Sequence, residues 1–199
     1  MTSFSIQSYG TKSSFLGTVT NFISKKCNNW SQIGQDIDGE TAGDSSGWYV
    51  SMNYAGTRVA IGARGNDDNS GHVRVYEYDG ATAWSQIGQD IDGETAGDES
   101  GYSVSMNSDG TRVAIGARNN DDNSGHVRVY EYAGGATAWS QIGQDIDGET
   151  ANDLSGWSVS MNSTGTRVAI GAIGNDGNGV NSGHVRVYEY DGATSWTQI

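Results

Sequence analysis

Four carboxylates recur at one fixed spacing three times along this 199-residue sequence. Asp36, Asp38, Glu40 and Asp44 stand at relative positions 1, 3, 5 and 9, and two further sets repeat them. These are Asp90, Asp92, Glu94 and Asp98, then Asp145, Asp147, Glu149 and Asp153. Hard cations take about six to eight oxygens from carboxylates and carbonyls on a tightly turned loop. The spacing therefore makes these residues candidate metal ligands, with Ca2+ the cofactor. The competing reading is a solvated acidic turn whose side chains cap local backbone amides. Asp67-Asp68 and Asp121-Asp122 form a second, weaker acidic pattern in the GNDDNSG-type loops. His72, His126 and His184 hold the same place in every copy. A catalytic residue serves one pocket, so a residue repeated once per copy reads as a packing element, and no catalytic residue is assigned. The single cysteine, Cys27, has no histidine near it in sequence to act as its base.

The tryptophans offer a different chemistry. Trp30, Trp84, Trp139 and Trp196 each open a Trp-Ser-Gln or Trp-Thr-Gln triplet. An aromatic ring beside short polar side chains suits a sugar face and its hydroxyls, which makes these residues candidate glycan ligands. The alternative is that the rings fill the space between neighbouring sheets, as large aromatic side chains do in cores.

Composition narrows the partners. Eleven Lys+Arg against 24 Asp+Glu give a formal charge of −13. Phosphate backbones need clustered basic residues, so nucleic acid is excluded as a partner. No apolar run approaches the ~18 residues that a membrane-crossing helix needs, and no membrane insertion is expected. The N-terminus lacks a basic start followed by an apolar run, so no secretory signal is recognised.

What must position these residues is a tandem repeat. Residues 30–83, 84–138 and 139–195 are nearly identical, 1–29 read as a degenerate part-repeat, and 196–199 open a further copy. Extra residues fall only in Gly/Asn/Asp stretches, which marks those as surface turns. Each copy contains four short apolar segments. In the first these are 47–52, 58–63, 72–78 and 84–87, the last running on toward Ile91. Trp48, Val50 and Met52 alternate onto one face, as do Val59, Ile61 and Ala63, and Val73 and Val75. Period-two alternation with β-branched and aromatic residues predicts strands, and no window shows a helical period. Four antiparallel strands in about 54 residues, repeated in tandem, predict an all-β fold of β-propeller blades in a single domain.

The unit resembles the FG-GAP repeat, the blade of the integrin α-chain head. The resemblance rests on Ser46-Gly47 before the first strand, on Gly62-Ala63-Arg64 ending the second, and on the Asn/Asp/Gly loop leading into Val-x-Val-Tyr. The matching places in the later copies are Ser100-Gly101, Ser155-Gly156, Gly116-Ala117-Arg118 and Gly171-Ala172-Ile173. It implies a non-enzymatic binding or adhesion module that presents acidic, Gly-rich loops to a protein or matrix partner, in an extracellular or surface setting. The family's usual calcium loop is absent, because the connection it occupies reads NYAGT, NSDGT and NSTGT here. A multivalent glycan-binding propeller is the alternative function. Three full blades and a part-blade make a four-bladed ring or an incomplete one. An open end exposes strand edges that invite self-association.

Overall fold

Residues 30–135 and 139–199 are described by the computed structural model. The degenerate part-repeat at 1–29, with Cys27, lies outside the described residues. The backbone divides into units Met1–Gln32 and Ile33–Ile199. In the first of these, Trp30 is fully exposed.

The second unit is built from three antiparallel sheets, one per repeat. The first holds β1 (Tyr49–Met52), β2 (Arg58–Ala63), β3 (His72–Tyr78), β4 (Trp84–Gln86) and β5 (Ile91–Asp92). They are joined in the order β1-β2-β3-β4, and β5 also pairs with β3. The second sheet repeats this with β6 (Ser103–Met106), β7 (Arg112–Ala117), β8 (His126–Tyr132), β9 (Trp139–Gln141) and β10 (Ile146–Asp147). The third orders β11 (Ser155–Met161), β12 (Arg167–Ala172), β13 (His184–Tyr190) and β14 (Trp196–Gln198). Each sheet thus takes its outer strand from the first residues of the following repeat.

The segment expected to run from Trp84 toward Ile91 is two strands rather than one. Gly88 adopts φ +75, which breaks the ladder between them. A Cβ there would lie 2.5 Å from Cδ1 of Trp139, so glycine also makes room for the next ring. No helix was expected, yet Asn66–Asn69 and Asn120–Asn123 each form one helix-like turn. They are not ordinary helices. Asp67, Asp68 and Asn69 carry φ of 44, 53 and 64, and Asp121, Asp122 and Asn123 repeat these values closely. Asn and Asp are the residues that tolerate this left-handed region. The turn holds the next repeat, because Asn69 and Ser70 carbonyls accept the Glu99 and Ser100 amides at 2.8 Å.

Alternation decides which face packs where. Ala60, Val73 and Val75 face the following sheet and meet Val104 and Met106 of β6. Ala114, Val127 and Val129 face Val159 of β11 in the same way. Ser51 Oγ accepts the Met106 amide and Ser105 Oγ accepts the Met161 amide, both at 2.9 Å. Glycine sets how close the sheets come. A Cβ on Gly62 would sit 2.2 Å from the Gly101 carbonyl oxygen, and one on Gly116 would sit 2.3 Å from that of Gly156. A Cβ on Gly171, at the same place in the third sheet, would have its nearest contacts with Ser158 of its own sheet, the closest being the side-chain Oγ. Gly116→Ala is therefore expected to cost about 1–3 kcal/mol by overpacking, and Gly171→Ala under about 1 kcal/mol. Chemical denaturation of the two variants checks the difference.

Candidate functional site

The four carboxylates of each loop do not act as one group. The last of them serves its own turn. Asp44 Oδ2 accepts the Thr41 amide at 2.9 Å, and Asp98 and Asp153 repeat this with Thr95 and Thr150. Asn120 and Asn175 add side-chain bonds to Asp98 and Asp153, at 3.1 and 3.0 Å. Asp38, Asp92 and Asp147 contribute backbone carbonyls, which accept Arg74, Arg128 and Arg186 at 2.8, 2.8 and 2.7 Å.

The remaining two carboxylates converge on a histidine, and they come from different repeats. Among the described residues, His, Asp and Glu ligand atoms gather within 4.8 Å at two places, Glu40–His72–Asp90 and Glu94–His126–Asp145. His72 Nδ1 lies 4.0 Å from both Glu40 Oε2 and Asp90 Oδ2. His126 Nδ1 lies 3.8 Å from Glu94 Oε2. His184 faces Glu149 at 3.8 Å in the third repeat. The imidazoles of His72 and His126 are buried, and Nε2 of all three histidines has no hydrogen-bond partner. Burial, reinforced by Arg128, holds His126 below its ordinary pKa against the pull of Asp145 and Glu94.

Each carboxylate is oriented by its other oxygen. Arg74 Nη1 lies 3.4 Å from Glu40 Oε1, and Arg128 stands at the same distance from Glu94 Oε1. Gln86 Nε2 donates to Asp90 Oδ1 at 2.5 Å, and Gln141 to Asp145 Oδ1 at 2.6 Å. The sequence reading singled out neither these arginines nor these glutamines for this role. Their recurrence once per repeat is the only signal that marks them.

The other loop face forms an acidic recess, also repeated. Thr41, Ala42, Gly43, Asp44, Asp67 and Asp68 are among the residues lining one. Thr95, Ala96, Gly97, Asp98, Asp121 and Asp122 line its successor.

The tryptophans are placed unequally. Trp84, Trp139 and Trp196 are 8%, 3% and 3% exposed, and only Trp30 of the four stands open. Trp139 lies between the first two sheets, and its Nε1 donates to the Ile87 carbonyl at 2.9 Å. Gln89 holds the same residue, its Nε2 donating to the Trp139 carbonyl at 2.8 Å. Gln35 with Trp84 and Gln144 with Trp196 are equivalent pairs. An aromatic row lies elsewhere: Tyr102 stands 5.8 Å from Trp48 and 5.1 Å from Trp157. Arg64 covers Trp48, Arg118 covers Tyr102 and Trp157, and Glu99 pairs with both arginines.

Stacked four- and five-stranded antiparallel sheets, one per repeat, define an all-β protein with a blade-like arrangement. Residues 91–130 and 146–188 match the FG-GAP repeat, which is consistent with the blade-like sheets of a partial β-propeller. The crystal structure of a Bacteroides uniformis protein provisionally named a 6-phosphogluconolactonase is similar, with a TM-score of 0.58 at 12% identity. The match covers 83% of this chain and 42% of that one. Hydrazine synthase of Kuenenia stuttgartiensis gives a TM-score of 0.49 at 11% identity, over 82% of this chain and 38% of that one. The chain therefore spans about two-fifths of the length of either structure. At 12% identity the likeness to the first is one of fold alone. No curated protein matches the sequence. No helix among the described residues is long and apolar enough to cross a membrane.

Asp153 gives the loops a measurable pH signature. Burial raises its pKa, but hydrogen bonds from Asn175 and Thr150 outweigh this and hold it below the ordinary 3.8. A depressed carboxylate contributes stability that is complete above its unfolded pKa and is lost as pH falls through the folded value. Asp153→Asn is expected to cost about 1–3 kcal/mol at pH 7. The melting curves of variant and wild type should converge in acid as pH falls below 3.8 and through the depressed folded-state value, where Asp153 becomes neutral.

Proposed function

We propose that the chain is a non-catalytic binding module that presents its acidic recesses to a protein or matrix partner. The observation that carries this reading is the recess itself, repeated on consecutive sheets with two aspartates of each left-handed turn in its wall. The FG-GAP repeats support a binding module, and the formal charge of −13 suits a basic partner surface. Every candidate acid, base or ligand recurs from repeat to repeat, whereas catalysis calls for one pocket with its own residues. The glycan reading has weaker support, because three of its four tryptophan rings are covered. Calcium remains the cation that this reading carries, since the loop carboxylates are oxygen donors of the kind it takes.

Neutralising the recesses tests the reading without disturbing the turns, because Asn tolerates the left-handed region as Asp does. The quadruple variant Asp67→Asn, Asp68→Asn, Asp121→Asn, Asp122→Asn is expected to lose about tenfold or more in affinity, some 1.4 kcal/mol. Immobilised collagen and fibronectin serve as first probes, with and without calcium. Wild-type protein that binds neither, or a variant that binds equally well, would overturn the recess as the contact surface.

A further inference from the structure

We propose that Glu40–His72–Asp90 and Glu94–His126–Asp145 are two divalent transition-metal sites of zinc type, each shared between consecutive repeats. The buried imidazole is the first ground. The side chains of His72 and His126 are 2% exposed, and Nδ1 of each faces carboxylate oxygen. The gaps of 3.8–4.0 Å are too long for hydrogen bonds. Zinc bonds of about 2.1 Å in a tetrahedron put ligand atoms about 3.4 Å apart. Half-exposed Glu40 and Glu94 approach that geometry by moving about half an ångström, and the aspartates, Asp90 at 4.0 Å and Asp145 within 4.8 Å, close on the ion as well.

The surrounding bonds are the second ground. Arg74 takes one oxygen of Glu40 and Gln86 takes one of Asp90, which leaves Oε2 and Oδ2 turned to the imidazole. Arg128 and Gln141 do the same in the next repeat. Metal ligands are oriented by such outer bonds. Two carboxylates balance a doubly charged ion. The mixed nitrogen and oxygen set suits zinc, whereas calcium takes oxygen alone. The open coordination positions fall to water or to a ligand.

The test is a zinc titration of chelator-stripped full-length protein, read by calorimetry and by elemental analysis after desalting. Two ions per chain are expected, one for each cluster. Glu40→Gln and Glu94→Gln lie on half-exposed side chains and leave the core intact, and each is expected to weaken one site about tenfold or more. Glu149→Gln, in the repeat where His184 has one carboxylate beside it, is expected to leave the stoichiometry unchanged. Cobalt substitution supplies a visible spectrum that reports nitrogen and oxygen coordination. Absence of bound zinc, stoichiometry indifferent to Glu40→Gln and Glu94→Gln, or binding of calcium in place of zinc would overturn the sites. None of these results bears on the acidic recess, whose aspartates are separate residues.

Discussion

Close approach of one sheet's backbone to the next governs this structure. Carbonyl oxygens of Gly101 and Gly156 lie where a Cβ on Gly62 or Gly116 would be, so the sheets meet without a layer of side chains at that line. Valines on either side then close over a narrow gap, and the fully buried Val73, Val75, Val127 and Val129 follow from it. Everything described at the loops depends on the same spacing. Glu40 and Asp90 can face one imidazole only because consecutive repeats are held this near. The Asn69 and Asn123 carbonyls reach the next chain segment for the same reason.

Strands were legible in the sequence because their two faces take different residues: in β7 Val113 and Ile115 pack toward the preceding sheet and Ala114 toward the following one, which writes period two into the residues. The Arg-Val-Ala-Ile-Gly-Ala and His-Val-Arg-Val-Tyr-Glu-Tyr segments appear at their expected places in all three sheets. Breaks in regularity were harder to see. Gly88 looks like any turn glycine, and nothing local says that it interrupts an edge strand to admit a ring 51 residues onward. The left-handed Asp-Asp-Asn turns were equally hidden, since Asn and Asp suit several turn types.

The loop chemistry was legible in kind but not in grouping. Spacing along the chain placed Asp36, Asp38, Glu40 and Asp44 together, because it measures neighbours in sequence. The fold instead sorts them by direction. Asp44 turns inward to its own loop, and Glu40 turns outward to His72 and to an aspartate from the next repeat. A contact offset by one whole repeat cannot be seen within any single copy. The tryptophans tell the same story, since the Gln that clamps Trp139 belongs to the copy before it. Polar neighbours adjacent in sequence suggested a sugar platform, whereas the covered Trp139 ring is held by Ile87 and Gln89 of the copy before it.

The strand exchange between repeats has a genetic consequence. Each sheet borrows its outer strand from the start of the following copy, so every junction between copies uses the same residues on both sides. Unequal recombination within such a gene removes or adds a whole copy and recreates an existing junction rather than a new one. Repeat number is then free to drift while each interface is conserved by construction, as in other linear arrays where units contact only their neighbours. Near identity among the copies is what a history of that kind leaves behind.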